Sequence, residues 1–372
     1  MNHVHDINYI VVLFLLSLLV ASLIHQPILR FAQKHNIYDN PEARKLQRMP
    51  IPVMGGFVVF IGSMVGILNY WFIKDCSSII PVEVAMLIML LVGAYDDIKN
   101  LSPTFKFAVE IALVVALALI NDYPINDFHG LWGINEIAPW IAWPLTVFVC
   151  VGIINAINMI DGVDGLSSGM CLVILGLFSW MLFISHDFPR AALGCTLIGG
   201  LIPFFIMNVF GQRSKMFIGD AGTLMLGIVI CDIVMSMLTK DSKCSTFMAK
   251  SNGCVIAFAL AVLAVPIFDT LRVMFGRIFR GRSPFLPDKT HLHHAFITYG
   301  FHHLETSLLE IILNALIVLL WYIIEKTHLP MEFQLYGVVI AGVAVCFGLY
   351  WLLGRRTRIA IKLDKAAQNA TD

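Results

Sequence analysis

The chain has 372 residues, 58% of them hydrophobic and only 13% charged, about half the roughly 25% charge of a water-soluble domain. That composition excludes a soluble globule, a disordered segment, a collagen-like repeat and a small disulfide scaffold. Lysine plus arginine equals aspartate plus glutamate at 25 each, so no net charge draws nucleic acid. A helical membrane crossing needs about 20 mostly apolar residues. Eleven candidate segments follow one another, near 7–25, 53–73, 82–95, 105–121, 138–155, 165–185, 189–207, 219–239, 254–274, 306–325 and 333–353. The third is short at about 14 residues, which calls for an earlier start or a locally thin bilayer. Their apolar runs are continuous, without the alternation of a β-barrel. The expected fold is therefore all-α: a polytopic integral membrane protein of about eleven transmembrane helices in one domain, 1–353, followed by a basic tail, 354–372.

With the N-terminus outside, the inner segments hold 19 of the 25 lysines and arginines and the outer ones six. The positive-inside rule then puts the C-terminus in the cytoplasm. The first run reads as a signal anchor, followed by Arg30 and Lys34 with no small-residue cleavage site. Eight cysteines show no CxxC spacing. A Cys244–Cys254 bridge is compatible with an oxidising periplasm.

In this topology the loops 26–52, 95–105, 155–165, 208–220 and 275–305 all emerge on the cytoplasmic face. Four of them carry acidic or basic blocks. The first is the adjacent pair Asp96 and Asp97, which repel each other and need a cation or donor nearby; Lys99 is one candidate. The second is Asn155-Ala-Ile-Asn-Met-Ile-Asp-Gly-Val-Asp-Gly, with Asn155 and Asn158 on one helical face and Asp161 and Asp164 after them. Capping of span six by Asp164 would account for one of these four residues. The third is Asp220 between glycines at the start of span eight, where unsatisfied N–H groups and the helix dipole suit a carboxylate, a phosphate, or both with a metal between. The fourth gathers Arg277, Arg280, Arg282, Lys289, His291, His293 and His294. Its histidine spacing does not match a zinc helix, and arginine with histidine fits a diphosphate clamp. Ionisable groups gathered at one membrane surface point to an enzyme with a charged, soluble substrate, whereas a transporter keeps such groups near the midplane. The D-G-x-x-A-R pattern of CDP-alcohol phosphatidyltransferases is absent, and Asp232 and Glu110 inside spans have no assigned partner.

Taken in order, Asp96-Asp97, NAxNMIDGxDGL, GDAG and D-K-x-H-L-H-H resemble the polyprenyl-phosphate N-acetylhexosamine-1-phosphate transferase family, in its bacterial WecA/TagO-like branch. The resemblance covers nearly the whole chain and departs at Gln47, where many members have histidine. It implies transfer of GlcNAc-1-phosphate from a UDP-N-acetylhexosamine to undecaprenyl phosphate, with release of UMP, in the bacterial inner membrane. The alternatives are the sister branch that uses UDP-MurNAc-pentapeptide and, outside enzymes, a transporter. The resemblance further implies Mg²⁺ (Mn²⁺ substituting) on Asp220 and the Asn158 carbonyl, and a catalytic set of Asp96, Asp97 and Asp220. Asn155, Asp161 and Asp164 would meet the nucleoside, and Arg282, His291, His293 and His294 the diphosphate and sugar. Asp97 as general base competes with a positioning role, and the oligomeric state is open between monomer and homodimer.

Overall fold

The computed structural model describes residues 2–39, 49–71, 77–281, 283 and 290–354. Arg282, Lys289, Gln47, Cys76 and the tail from 355 lie outside the described residues. The helices run in chain order as α1 Asn2–Lys34, α2 Gly55–Trp71, α3 Ile80–Lys99, α4 Pro103–Ile120, α5 Pro139–Met159, α6 Leu166–Ile184 and α7 Phe188–Phe210. They continue with α8 Gly219–Leu238, α9 Lys243–Met248, α10 Val255–Val262, α11 Ala264–Ile278, α12 Leu292–Tyr299, α13 His303–Lys326 and α14 Met331–Val343, which carries on as a π-helical turn Ala344–Leu349. Among the described residues eight helical segments are long and apolar enough to span a bilayer, so the chain is a polytopic membrane protein. The shorter α2, the acid-ended α3 and the interrupted α10–α11 also fall on expected spans. Among the described residues the departures from an all-helical fold are a minimal antiparallel pair, β1 Tyr38–Asp39 with β2 Ile51–Pro52, and the isolated bridges Val53–Phe217 and Asp127–Glu136.

Several helices overrun the expected loops. Asp96 and Asp97 are wound into the last turn of α3, Asn155 and Asn158 into the last turns of α5, and Asp220 into the first turn of α8. The linkers that remain are shorter than the sequence suggested, because polar residues at helix ends find partners on neighbouring helices and the backbone ladder continues. Cys244 and Cys254 are free thiols. The Cys244 sulfur contacts Ser185 Oγ at 3.0 Å, and that of Cys254 accepts the Ala257 N–H at the start of α10.

The core is organised around α8, whose apolar residues face neighbours on every side, as expected of a helix hydrophobic all round. α3, α5 and α2 pack along it, and α1, α6 and α2 pack on α7. Before α8 the chain lies in register with the exit of the β2 strand: Phe217 donates to Pro52 O at 2.9 Å, and Gly55 and Gly56 donate to Phe217 O and Ile218 O at 2.8 and 2.9 Å.

The break between α10 and α11 has a definite cause and a definite repair. Pro266 has no N–H to give the Val262 carbonyl, which would otherwise be orphaned in an apolar interior. The fully buried Asn314 of α13 supplies both missing bonds: its amide nitrogen donates to Val262 O at 2.9 Å, and its oxygen accepts from Val265 N at 2.9 Å. Asn314→Leu leaves both backbone groups unsatisfied, at a cost of about 1–3 kcal/mol. A lowered melting temperature in detergent is the expected reading, and an unchanged one would show that the break is held by packing alone.

Candidate active site

The ends of α3, α5 and α8 meet the segments around 160–165, 215–218 and 290–303 at one cleft of about 1130 Å³. Two aspartates at the C-terminal end of α3 face an unfavourable helix dipole. The structure resolves this by pointing α3 at the opposite pole of another helix. Asp97 accepts from the backbone N–H of Asp220 at 2.9 Å and of Ala221 at 3.2 Å, which are orphan donors of the first turn of α8. These N–H groups are therefore engaged by Asp97, and the α8 N-terminus is not a free phosphate cradle. The helices approach closely enough only because position 93 lacks a side chain: a Cβ there would lie 2.4 Å from both Asp220 O and Ala221 N. Gly219 adopts φ +70°, and a Cβ at that position would strike the Asp97 carboxylate.

Asp96 is held differently. One of its oxygens accepts the Leu101 N–H at 2.5 Å and the other the Lys106 ammonium at 2.6 Å. Lys106 also reaches Asp220 Oδ2 at 3.0 Å, so one α4 lysine, and not Lys99, neutralises carboxylates from two helices. The other oxygen of Asp220 accepts from Asn158 Nδ2 at 3.0 Å, and the same amide nitrogen donates to Thr223 Oγ1 at 2.8 Å. Asn158 thus presents its nitrogen to Asp220, with its carbonyl turned away. Asn155 donates to Glu110 at 2.6 Å, which gives the buried glutamate of α4 its partner within the cleft.

Asp161 and Asp164 have separate environments. Asp164 accepts Lys215 Nζ at 2.6 Å and pairs with His303 Nδ1 at 3.0 Å; these donors hold its carboxyl below the usual range against the cost of burial. It does not cap α6, since Gly165 stands at that position. Asp161 opens onto the cleft and, among the described residues, accepts from Ser167 Oγ alone. Its side chain is exposed there, yet its carboxyl is raised to about 7, first by the protein that crowds the cleft around it and then by the neighbouring charges of Asp220, Asp39 and Asp164.

His291 and His293 are buried, with rings stacked 5.5 Å apart, and His294 lies against His293. The His293 Nε2 fills the space that a side chain at Gly162 would need. Its Nδ1 is buried without a partner among the described residues, and burial pushes the imidazole well below its ordinary pKa. His291 Nδ1 lies 2.8 Å from Asp269 of α11. Sequence reasoning missed Lys106, Asp269 and His303. For Asp269 a signal existed, since an ionisable residue inside an apolar span is costly and rare. Asp232 proves to belong elsewhere, about 18 Å further along α8 from Asp220. There it forms a buried pair with Arg190 at 3.0 Å and accepts from Tyr123.

The acidic oxygens suit a hard divalent cation. Asp96 and Asp220 already converge on one positive charge, Lys106. Among the described residues, no three His, Cys, Asp or Glu side chains form a closed metal cage. Mg²⁺ binds through one or two carboxylates and completes its shell with phosphate and water, so Asp220 with Asp96 nearby fits it.

The Asp161 pKa carries a signed expectation. An unfolded aspartate ionises near 4, so between about pH 4 and 7 the folded protein holds a proton there that the unfolded chain lacks. Stability falls as pH rises through that window and levels off above it. In buffer without divalent cations, the melting temperature of Asp161→Asn should gain on that of the wild type from pH 5 to pH 8. An equal difference at both pH values would overturn this assignment.

The comparisons agree with this geometry. The family described as Glycosyl transferase family 4 matches residues 79–238, from the start of α3 to the end of α8. A Bacillus subtilis protein named probable undecaprenyl-phosphate N-acetylglucosaminyl 1-phosphate transferase is 32% identical, over 86% of this chain and 85% of its own. Undecaprenyl-phosphate alpha-N-acetylglucosaminyl 1-phosphate transferases of Escherichia coli O157:H7 and Yersinia pestis are each 27% identical, over 84% of this chain and 85% and 86% of theirs. A relative 32% identical over 86% of this chain places the chain in the polyprenyl-phosphate N-acetylhexosamine-1-phosphate transferase family.

Proposed function

We propose that the protein transfers GlcNAc-1-phosphate from UDP-GlcNAc to undecaprenyl phosphate, the initiating step of a cell-envelope glycan. The reading places it in the bacterial inner membrane, crossed eleven times by α1 to α8, the α10–α11 pair, α13 and α14, with the N-terminus outside and the cleft on the cytoplasmic face. The observation that carries the proposal is the convergence of Asp96 and Asp220 on Lys106, with Asn158 donating to Asp220, beside a wall of histidines. That arrangement joins a cation-ready acidic centre to donors for anionic oxygens, as a reaction between two phosphates requires.

In the reaction an oxygen of the lipid phosphate attacks the β-phosphorus of the nucleotide sugar. A new P–O bond forms, the bridging P–O bond breaks, and its electron pair leaves with UMP. Mg²⁺, held by Asp220, would offset the charge that gathers on the phosphate oxygens. Asp96 and Asp220 orient Lys106, and Asn158 fixes the rotamer of Asp220. Asn155 and Asp161 face the nucleoside, and His291, His293 and His294 the diphosphate and sugar.

A general base has little to remove, because a phosphate monoester with a second pKa near 6 is roughly 90% dianionic at pH 7. Asp97, with both oxygens accepting backbone N–H groups, supports a positioning role. Asp97→Asn would set an amide N–H against those donors, so its activity should stay low and flat from pH 7 to 9. Recovery above pH 8 would identify a base instead.

A donor screen tests the function itself. Purified protein with undecaprenyl phosphate should release UMP from UDP-GlcNAc and not from UDP-MurNAc-pentapeptide, and Asp220→Asn should reduce release by at least about 100-fold. Release from the pentapeptide donor alone, or from neither donor, would refute the proposal.

A further inference from the structure

Asp269 sits in α11, outside every motif that the sequence brought forward, yet it is saturated with donors from the histidine segment. Its Oδ2 meets His291 Nδ1 at 2.8 Å. The Leu292 N–H, first of α12, lies 3.1 and 3.2 Å from its two oxygens. Arg272 donates to Oδ1 through Nη2 at 2.6 Å and Nε at 3.2 Å. The same guanidinium donates to Thr290 O at 2.5 Å and lies flat over Tyr350, 3.7 Å from the ring centroid. α12 has no capping side chain of its own, because His291 occupies the cap position without bonding back. The carboxylate that caps it comes from a different helix.

A carboxylate facing Nδ1 requires that nitrogen to carry the proton, which turns Nε2 of the same ring to the other side. His291 lines the cleft, and among the described residues no hydrogen bond engages its Nε2, which leaves that edge for a ligand. We infer that Asp269 is a positioning residue: it fixes the tautomer and angle of His291 and the start of α12, so that the imidazole meets the anionic oxygens of the nucleotide-sugar diphosphate. This inference rests on the transferase reading above. Asp269 itself does not touch substrate and acts through His291.

Steady-state kinetics on the full-length protein in detergent test it as a double-mutant cycle. Asp269→Asn should raise the KM for UDP-GlcNAc by roughly 10- to 100-fold and leave the KM for undecaprenyl phosphate unchanged. In a His291→Ala background the same change should cost nothing further. Losses that multiply with His291→Ala, that fall equally on both substrates, or that are absent would each overturn the inference. Asp269→Glu keeps the charge beside Arg272 while lengthening the arm by one methylene, and serves if the asparagine variant is not recovered folded. It should show the same donor-specific rise at an unchanged melting temperature, and a wild-type KM would count against the inference. Wild-type turnover separates the two levels of the argument. Should the wild type release no UMP, the transferase reading fails, and the cycle is repeated on UDP binding by calorimetry, where the same coupling is expected.

Discussion

The contact on which the site depends is the carboxylate of Asp97 against the first backbone N–H groups of α8. It joins two features that are each unfavourable alone. An aspartate in the last turn of a helix faces the negative end of the macrodipole, and a buried helix start leaves N–H groups without acceptors. Opposing the two ends removes both penalties and fixes the end of α3 against the start of α8. Asp96 and Asp220, each one residue from a member of this contact, are then brought within reach of the same lysine.

The same solution recurs on the other side of the cleft. Asp269 of α11 accepts the first N–H of α12 and a ring nitrogen of the preceding histidine, as Asp97 accepts the first N–H groups of α8. In both cases the residues proposed to meet the ligand stand at a helix N-terminus that is capped from a neighbouring helix. A local serine or aspartate cap would satisfy the N–H groups but would say nothing about where the helix sits relative to the rest of the bundle. A cap supplied from another helix specifies the helix–helix geometry as well, which a site assembled from distant segments requires.

Much of this was legible in the sequence. Apolar runs of roughly bilayer length marked the helices as membrane spans, and Asp96, Asp97, Asp161, Asp164, Asp220 and the histidines, expected on one face, do line one cleft. Each motif was itself a local pattern. What could not be read were the pairings between motifs. Lys106 is ten residues from Asp96 and 114 from Asp220, and neither separation has a helical or turn period that would flag it. Asn314 repairs a backbone break 49 to 52 residues away, which no window around Pro266 reveals. Helix ends were misplaced for the same reason: Asp96, Asp97 and Asp220 look like loop residues until their partners on other helices are known.

Hydrogen-bond saturation separates residues that the motifs list side by side. Asp97 has both oxygens engaged by backbone N–H groups, and Asp269 accepts from arginine, histidine and backbone together. Asp164 is closed by a lysine and a histidine. Such carboxylates have little capacity left for a ligand, and their energetic role is to hold elements together. Asp161 differs, since one serine hydroxyl is its side-chain donor and the surrounding protein resists its ionisation. An acceptor in that condition gains most from a new donor or cation, because either one satisfies lone pairs that the fold leaves open and stabilises the charged form that the crowded acidic cleft disfavours. Within the Asp-Gly-Val-Asp-Gly turn, Asp161 is therefore the carboxylate left open to the cleft, as the proposed substrate contact requires, and Asp164 keeps the turn in place around it.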